Sequence, residues 1–450
     1  MVGSGKLDEQ HRSEEIPSTL THVSAVRFWL SVVLTGVGSG LSCAALTSLL
    51  FEVQRFMWHS ASDDLVVAAA AAPAWRHITV LMVAAILTAG GQLLLVRLSA
   101  GNSIEIAMAI WFFAGRLPAL RTLASAALSV LIVAMGVSLG REGAPKQAGA
   151  VIANLLSDRE HLSDEQRRLL VACGAGAGIA AAYDVPLGGA LFALEVLRGV
   201  LALRLVLPAL AASLIATVVS WIALPDAPTY VLPGFHNSPS ILCWALLAGP
   251  VAGVVSIGYV RTIAFADRTR PRGSRRLIAP ILVFALLALA SIPFPELLGN
   301  GKDLTQMLFG GQLGALLVLV LFLLRPFATV LCLGSGAPGG LFTPSLTLGA
   351  LFGSALGYAW TVLWPGVPLG LFAVVGAGAV LAASTQGPIS AAVLMIELTG
   401  HNREFIAPLL IAIGTATLVA RTIEPRSIYD ARLTDDELAK RQILRQPSAT

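Results

Sequence analysis

The sequence predicts an all-α, polytopic membrane protein made of two homologous halves. Its composition, its segmentation and an internal repeat carry that expectation. Of 450 residues, 56% are hydrophobic and only 12% are charged, about half the roughly 25% charge of an ordinary soluble domain. With a mean hydropathy of +0.79, too little polar surface remains to cover a globule in water, and the bilayer becomes the natural solvent. Apolar stretches run over about 26–52, 76–99, 118–138, 168–181, 186–223, 240–264, 277–293, 312–333, 343–363, 369–383, 388–398 and 405–421. Several are shorter than the roughly 20 residues of an upright span, and several are broken by Gly or Pro. Broken helices at membrane depth leave backbone N–H and C=O groups unpaired, which is tolerated where the backbone is buried in protein or lines a wet cavity. That pattern suits a transporter or channel.

The repeat is read directly. Gly174–Glu195, GAGAGIAAAYDVPLGGALFALE, aligns without gaps to Gly376–Glu397, GAGAVLAASTQGPISAAVLMIE, sharing Gly174/Gly376, Gly176/Gly378, Pro186/Pro388 and Glu195/Glu397. A second pair, at nearly the same offset, begins at Gly140 and Gly340, each with another glycine nine residues on (Gly149 and Gly349). The expected organisation is a cytoplasmic segment 1–25, a first membrane repeat 26–225, a linker 226–239, a second repeat 240–435 and a cytoplasmic tail 436–450. Repeats with breaks at matching positions point to a binding site at the midplane between halves. The sequence leaves open whether they run parallel or inverted.

Charge placement sets topology. Arg268, Arg270, Arg272, Arg275 and Arg276 crowd one loop between apolar stretches, and the positive-inside rule puts that loop in the cytoplasm. A nucleic-acid patch is the alternative, and in a membrane chain the topology reading takes precedence. Cys43, Cys173, Cys243 and Cys332 are widely spaced, with no C-x-x-C, so no zinc site or disulfide framework is expected. The polar first 20 or so residues do not form a cleavable signal. The histidines show no ligand spacing and no paired-carboxylate or Ser–His arrangement stands out, so neither an enzyme, a metal nor a cofactor is expected.

Gly140-Arg141-Glu142-Gly143-Ala144-Pro145 follows an apolar run and precedes a helix-like stretch. Gly336–Pro344, GAPGGLFTP, has the same build in the second half. A Gly-rich turn entering a helix presents free N–H groups at a positive dipole end, an anion site without a cofactor. Two such termini converging on one anion suit a halide, because amides attract it without the deep trap of a full lysine charge, and conduction needs release as well as binding. A carboxylate at Glu142 competes for that position when ionised and leaves it when protonated, which makes it a candidate gate and proton carrier. The plainer reading is a helix-start Glu complementing the dipole. Arg141 reads as a structural partner or entrance charge, Lys146 as a cation that raises local anion concentration or faces water. Glu195 and Glu397 close matching segments and read as caps or interface residues. Asp184, before Pro186, reads as a turn or N-cap residue.

At these residues the chain resembles the CLC family of chloride channels and chloride/proton antiporters. G-R-E-G at Gly140–Gly143 and G-x-F-x-P at Gly340–Pro344 resemble two of its signature motifs, and Tyr429 lies where the family places a pore-facing tyrosine. The resemblance covers essentially 26–435. It implies an inverted-repeat fold and a homodimer with one pore per subunit. It further implies a multi-pass protein of the cell inner (plasma) membrane with both termini cytoplasmic. Glu142 is then the external gating glutamate, and chloride or a related halide, with protons, is the cargo. The amides of Leu341 and Phe342 and the Tyr429 hydroxyl hold the central anion, with Arg141 and Gly143 beside them. The chain ends about 20 residues past Tyr429, as expected of members without regulatory tail domains. Two departures stand out. Where the family has G-S-G-I-P, this chain has Gly101-Asn102-Ser103-Ile104-Glu105, so Asn102 and Ser103 become the candidate ligands there, and a fluoride-exporting branch also departs at this motif. Where the family's internal proton glutamate follows Glu195, this chain has Val196, so the proton takes another route, passes through Glu195, or is uncoupled. The expected function is proton-coupled chloride transport. The alternatives are an uncoupled glutamate-gated chloride channel, a fluoride/proton antiporter and, remotely, a membrane-embedded enzyme.

Overall fold

The computed structural model describes residues 23–98, 105–235, 238–400, 403–430, 433 and 436. The described chain is almost wholly helical. Its first half holds α1 (Val23–Trp58), α2 (Leu65–Ala70), α3 (Ala74–Arg97), α4 (Ile106–Phe112), α5 (Ala119–Ala134), α6 (Gly143–Arg159), α7 (Asp164–Tyr183), α8 (Pro186–Leu191, continued by a π-helical turn Phe192–Arg198) and α9 (Leu203–Ser220). The second holds α10 (Pro239–Arg268), α11 (Arg275–Ser291), α12 (Lys302–Phe309), α13 (Ala315–Gly334), α14 (Phe342–Leu363), α15 (Leu369–Thr385), α16 (Pro388–Leu398) and α17 (Ile406–Ile423). Among the described residues, seven of these helices are long and apolar enough to cross a bilayer. Exposed Leu203, Leu207 and Leu214 on α9 and Leu410 and Leu418 on α17 give the outer wall an apolar surface, which suits contact with lipid tails. The chain is a multi-pass membrane protein.

Local signals explain the breaks. Ser163 starts α7 through a capping box: its hydroxyl accepts from Gln166 N–H while the Gln166 amide oxygen accepts from Ser163 N–H, pairing two donors a helix start leaves orphaned. Prolines at 186, 239 and 388 open α8, α10 and α16, where a missing N–H is harmless. The single apolar stretch expected over 186–223 is two elements, because Gly199 turns left-handed (φ 68°) after the π turn. Of the two readings of Asp184, turn or N-cap, the structure has the turn. Asp184 closes α7 in a left-handed conformation (φ 57°) and accepts from the Trp221 indole N–H at 2.9 Å, while Val185 is the residue ahead of α8. Its counterpart at the end of α15, Gln386, is left-handed too (φ 59°).

The halves repeat in three dimensions. α6 packs on α7 through Gly149 and Gly174, and α14 on α15 through Gly349 and Gly376. At all four, a Cβ would strike the facing backbone. The two halves then meet through equivalent residues: Gly140 N–H donates to Gly340 O and Gly340 N–H to Gly140 O, each at 2.8 Å, as an antiparallel bridge. Equivalent residues bond reciprocally and antiparallel across a two-fold relation between the halves, as an inverted repeat requires. The same reciprocity recurs deeper in the molecule. Glu397 accepts from the amides of Leu187 and Gly188 (3.0 and 2.6 Å) at the start of α8. Glu195 accepts from the amides of Ile389 and Ser390 (3.2 and 2.6 Å) at the start of α16. Each half caps a helix of the other with a carboxylate, placed where the dipole favours it. Cys43, Cys173 and Cys332 are buried and Cys243 is exposed, all as free thiols.

Candidate functional site

The inverted repeat brings the start of α6 against the start of α14. Glu142, immediately before α6, turns its side chain across the Gly140–Gly340 bridge and is 1% exposed. One carboxylate oxygen accepts from Phe342 N–H, the first amide of α14, at 2.7 Å. The other accepts from the Thr343 hydroxyl at 3.0 Å and from the Tyr183 hydroxyl at 3.2 Å. The Tyr183 and Thr343 hydroxyls also meet each other at 2.6 Å. A buried carboxylate is costly unless its lone pairs are filled. Here a helix N-terminus and two hydroxyls fill them, each charge-assisted bond being stronger than a neutral one. The arrangement seats the protein's own carboxylate on donors at a helix N-terminus.

Glycines make the room. A Cβ on Gly140 or Gly340 would collide with the Glu142 carboxylate, and one on Gly143 would come within 2.9 Å of Gly340 N. On the far side of Phe342 an aromatic column continues. Phe192 stands edge-on to Phe342 (6.5 Å between centroids) and edge-on to Tyr429 (5.6 Å). Lys146, one helical turn past Glu142 and 7% exposed, places its ammonium 4.5 Å from the Tyr429 ring centroid. It is thus a buried cation rather than a water-facing one. Arg141 lays its guanidinium over the Tyr183 ring at 5.2 Å and reaches the Ala182 carbonyl.

The sequence-derived candidates sort as follows. Glu142, Gly143 and Phe342 converge, with Leu341 directly before α14 and Arg141 behind Tyr183. Tyr429 lies beyond Phe192. Glu195 is apart from them, engaged with the α16 amides. Asn102 and Ser103 lie outside the described residues. Tyr183 and Thr343 were not singled out from the sequence, although Tyr183 is the one aromatic hydroxyl in a Gly/Ala run and Thr343 sits inside the G-x-F-x-P motif. Arg325 was missed too. It is buried in α13 and donates to the carbonyls of Glu296, Leu298 and Gly299. That pins the loop whose Gly299 N–H bonds Gly136 O, just ahead of the first motif.

Residues 94–421 match the Voltage gated chloride channel family. A ClcB-like chloride channel protein of Ralstonia nicotianae is 33% identical over 430 residues, 90% of this chain and 97% of that one. The chain belongs to the voltage gated chloride channel family. An H(+)/Cl(-) exchange transporter ClcA of Vibrio cholerae is 35% identical over 313 residues, so the matched stretch spans 66% of each chain. The fold agrees with solved members of the CLC type. A slow cyanobacterial Cl-/H+ antiporter superposes with a TM-score of 0.78 at 24% identity, over 93% of this chain and 99% of that one. A CLC-type fluoride/proton antiporter superposes at 0.74 and 22%, over 92% and 99%.

Proposed function

We propose that this CLC-family protein exchanges chloride for protons across the cell inner membrane, with Glu142 as both gate and proton carrier. The observation that carries the reading is the Glu142 carboxylate seated on Phe342 N–H at 2.7 Å, at the N-terminus of α14. A group placed there blocks an anion while ionised. Once protonated it loses its charge-assisted bonds and yields the position. Exchange follows from that competition: anion and proton cannot both be refused, because each removes the obstacle to the other. Related proteins named as H(+)/Cl(-) exchange transporters support the cargo assignment. Leu341, Phe342, Gly143 and Tyr429 line the anion path in this reading, with Asn102 and Ser103 completing it, and Arg141 draws anions to the entrance. Glu195 is the internal proton candidate in place of Val196. The working unit is a homodimer with one pore per subunit, both termini cytoplasmic.

Paired chloride and proton fluxes in proteoliposomes test this. A chloride gradient should drive protons uphill in wild type. Glu142→Gln should keep chloride passage and abolish both proton movement and the pH dependence of efflux. Fast chloride efflux with no proton movement in wild type would instead establish an uncoupled channel, and a fluoride-over-chloride preference would reassign the cargo. Asn102→Ser should shift the anion ranking; an unchanged ranking would remove Asn102 from the path.

A further inference from the structure

Tyr183 closes α7 in the first half and Thr343 is the second residue of α14 in the second, yet their hydroxyls meet at one carboxylate oxygen of Glu142. They are 2% and 1% exposed. Phenylalanine and valine would fill nearly the same space, so shape does not require these hydroxyls, and a buried hydroxyl is unfavourable unless it is bonded. Two hydroxyl protons serve three oxygen–oxygen contacts, so one hydroxyl donates to the other and that one to the carboxylate. With Phe342 N–H on the second oxygen, an amide and a linked pair of hydroxyls drawn from both halves converge on one negative group, and two donors reach the carboxylate at a time. Hydroxyl protons rotate, so the pair can follow a change of occupant that a fixed amide cannot.

We propose that Phe342 N–H and the linked Thr343 and Tyr183 hydroxyls form a single subsite, occupied alternately by the ionised Glu142 carboxylate and by the transported anion. Tyr183 and Thr343 position the gate when it is closed and act as anion ligands when it is open. The inference rests on Glu142 being the gate. Donors to an ionised carboxylate favour that form, so both hydroxyls hold the gate closed to a lower pH than apolar residues would. The other ionisable groups around the carboxylate are Arg141, Lys146 one turn along α6, and the phenols of Tyr230, Tyr259 and Tyr429, which feel its charge. Groups of these types keep one charge state through the neutral range, so a difference in pH dependence between variants is read at the gate carboxylate.

Tyr183→Phe and Thr343→Val each remove one hydroxyl, and Thr343→Ser keeps it. In proteoliposomes, the pH of half-maximal chloride efflux should rise on loss of either hydroxyl and by about one unit when both are lost, the size of one bond to a charged group, and stay at the wild-type value for Thr343→Ser. In a Glu142→Ala background, where the gate is gone, calorimetric chloride affinity should weaken roughly three- to tenfold per lost hydroxyl. An unchanged pH profile in the first experiment, or an unchanged chloride Kd in the second, overturns the shared subsite. Failure of the underlying gate reading has a different signature: Glu142→Ala alone, with both hydroxyls intact, keeps the wild-type pH dependence.

Discussion

A Cβ on Gly340 would run into the Glu142 carboxylate, whereas a Cβ on Gly143 would press on the backbone N of Gly340. The two substitutions should therefore fail in different ways. In Gly340→Ala the flexible carboxylate gives way, at a cost of about 1–3 kcal/mol to the closed arrangement. With Glu142 as the gate, chloride efflux at alkaline pH should rise roughly tenfold over wild type, with thermal stability near wild type. In Gly143→Ala the obstacle is backbone on both sides and the halves must separate. Loss of melting temperature in detergent, more than altered gating, is the expected result. A Gly340→Ala protein that keeps the wild-type pH profile would show that the carboxylate does not need this slot. The motif glycines and Glu142 were legible in the sequence because a helix start announces itself locally. Tyr183 and Thr343 were not, because their shared partner lies in neither one's own element.

Among the elements, α8 and α16 carry the clearest interdependence. Glu397 caps α8 and Glu195 caps α16, each across the boundary between halves. The matched positions of these glutamates were visible in the repeat, and so was the expectation of a capping role. What each one caps was not visible, because a cap read from sequence is sought within a few residues, and these lie 194 to 210 residues away. Glu195→Gln and Glu397→Gln should each cost about 1 kcal/mol through weakened charge–dipole and charge-assisted bonds, measured as a lowered melting temperature of similar size in both. Transport separates structure from chemistry: proton-to-chloride stoichiometry should change in Glu195→Gln and stay fixed in Glu397→Gln. Equal stoichiometries in both variants would remove Glu195 from the proton route.

For the whole molecule, orientation follows from where charge can stay wet. Arg268 at the end of α10, Arg272 in the α10–α11 connection and Arg275 at the start of α11 are exposed, and α10 before them is long and apolar enough to cross a bilayer. Trypsin added to inside-out membrane vesicles should cut this connection, and trypsin outside right-side-out vesicles should leave it intact. Cutting from the outer face would invert the topology and put the Glu142 entrance on the opposite side. The same vesicles, treated with an amine-directed cross-linker, should yield a band at twice the chain mass. A protein that runs only as monomer would refute the proposed dimer without touching the single-subunit pore.

Partition into lipid, most of the helix breaks, the presence of two related halves and the Gly-rich motif around Glu142 were legible in the sequence alone. Composition, turn residues and local helix starts act over a few residues and leave a direct trace. Tertiary structure decided that the repeat is inverted, that Gly140 and Gly340 bond each other reciprocally, and that each half's glutamate caps the other half's helix. It also decided that the Glu142 carboxylate rests on an amide 200 residues away, with Tyr183 and Thr343 beside it. Those contacts depend on the relative orientation of two halves whose local sequence patterns are nearly the same. No periodicity within either half carries that orientation, because it is set only when the halves close on each other.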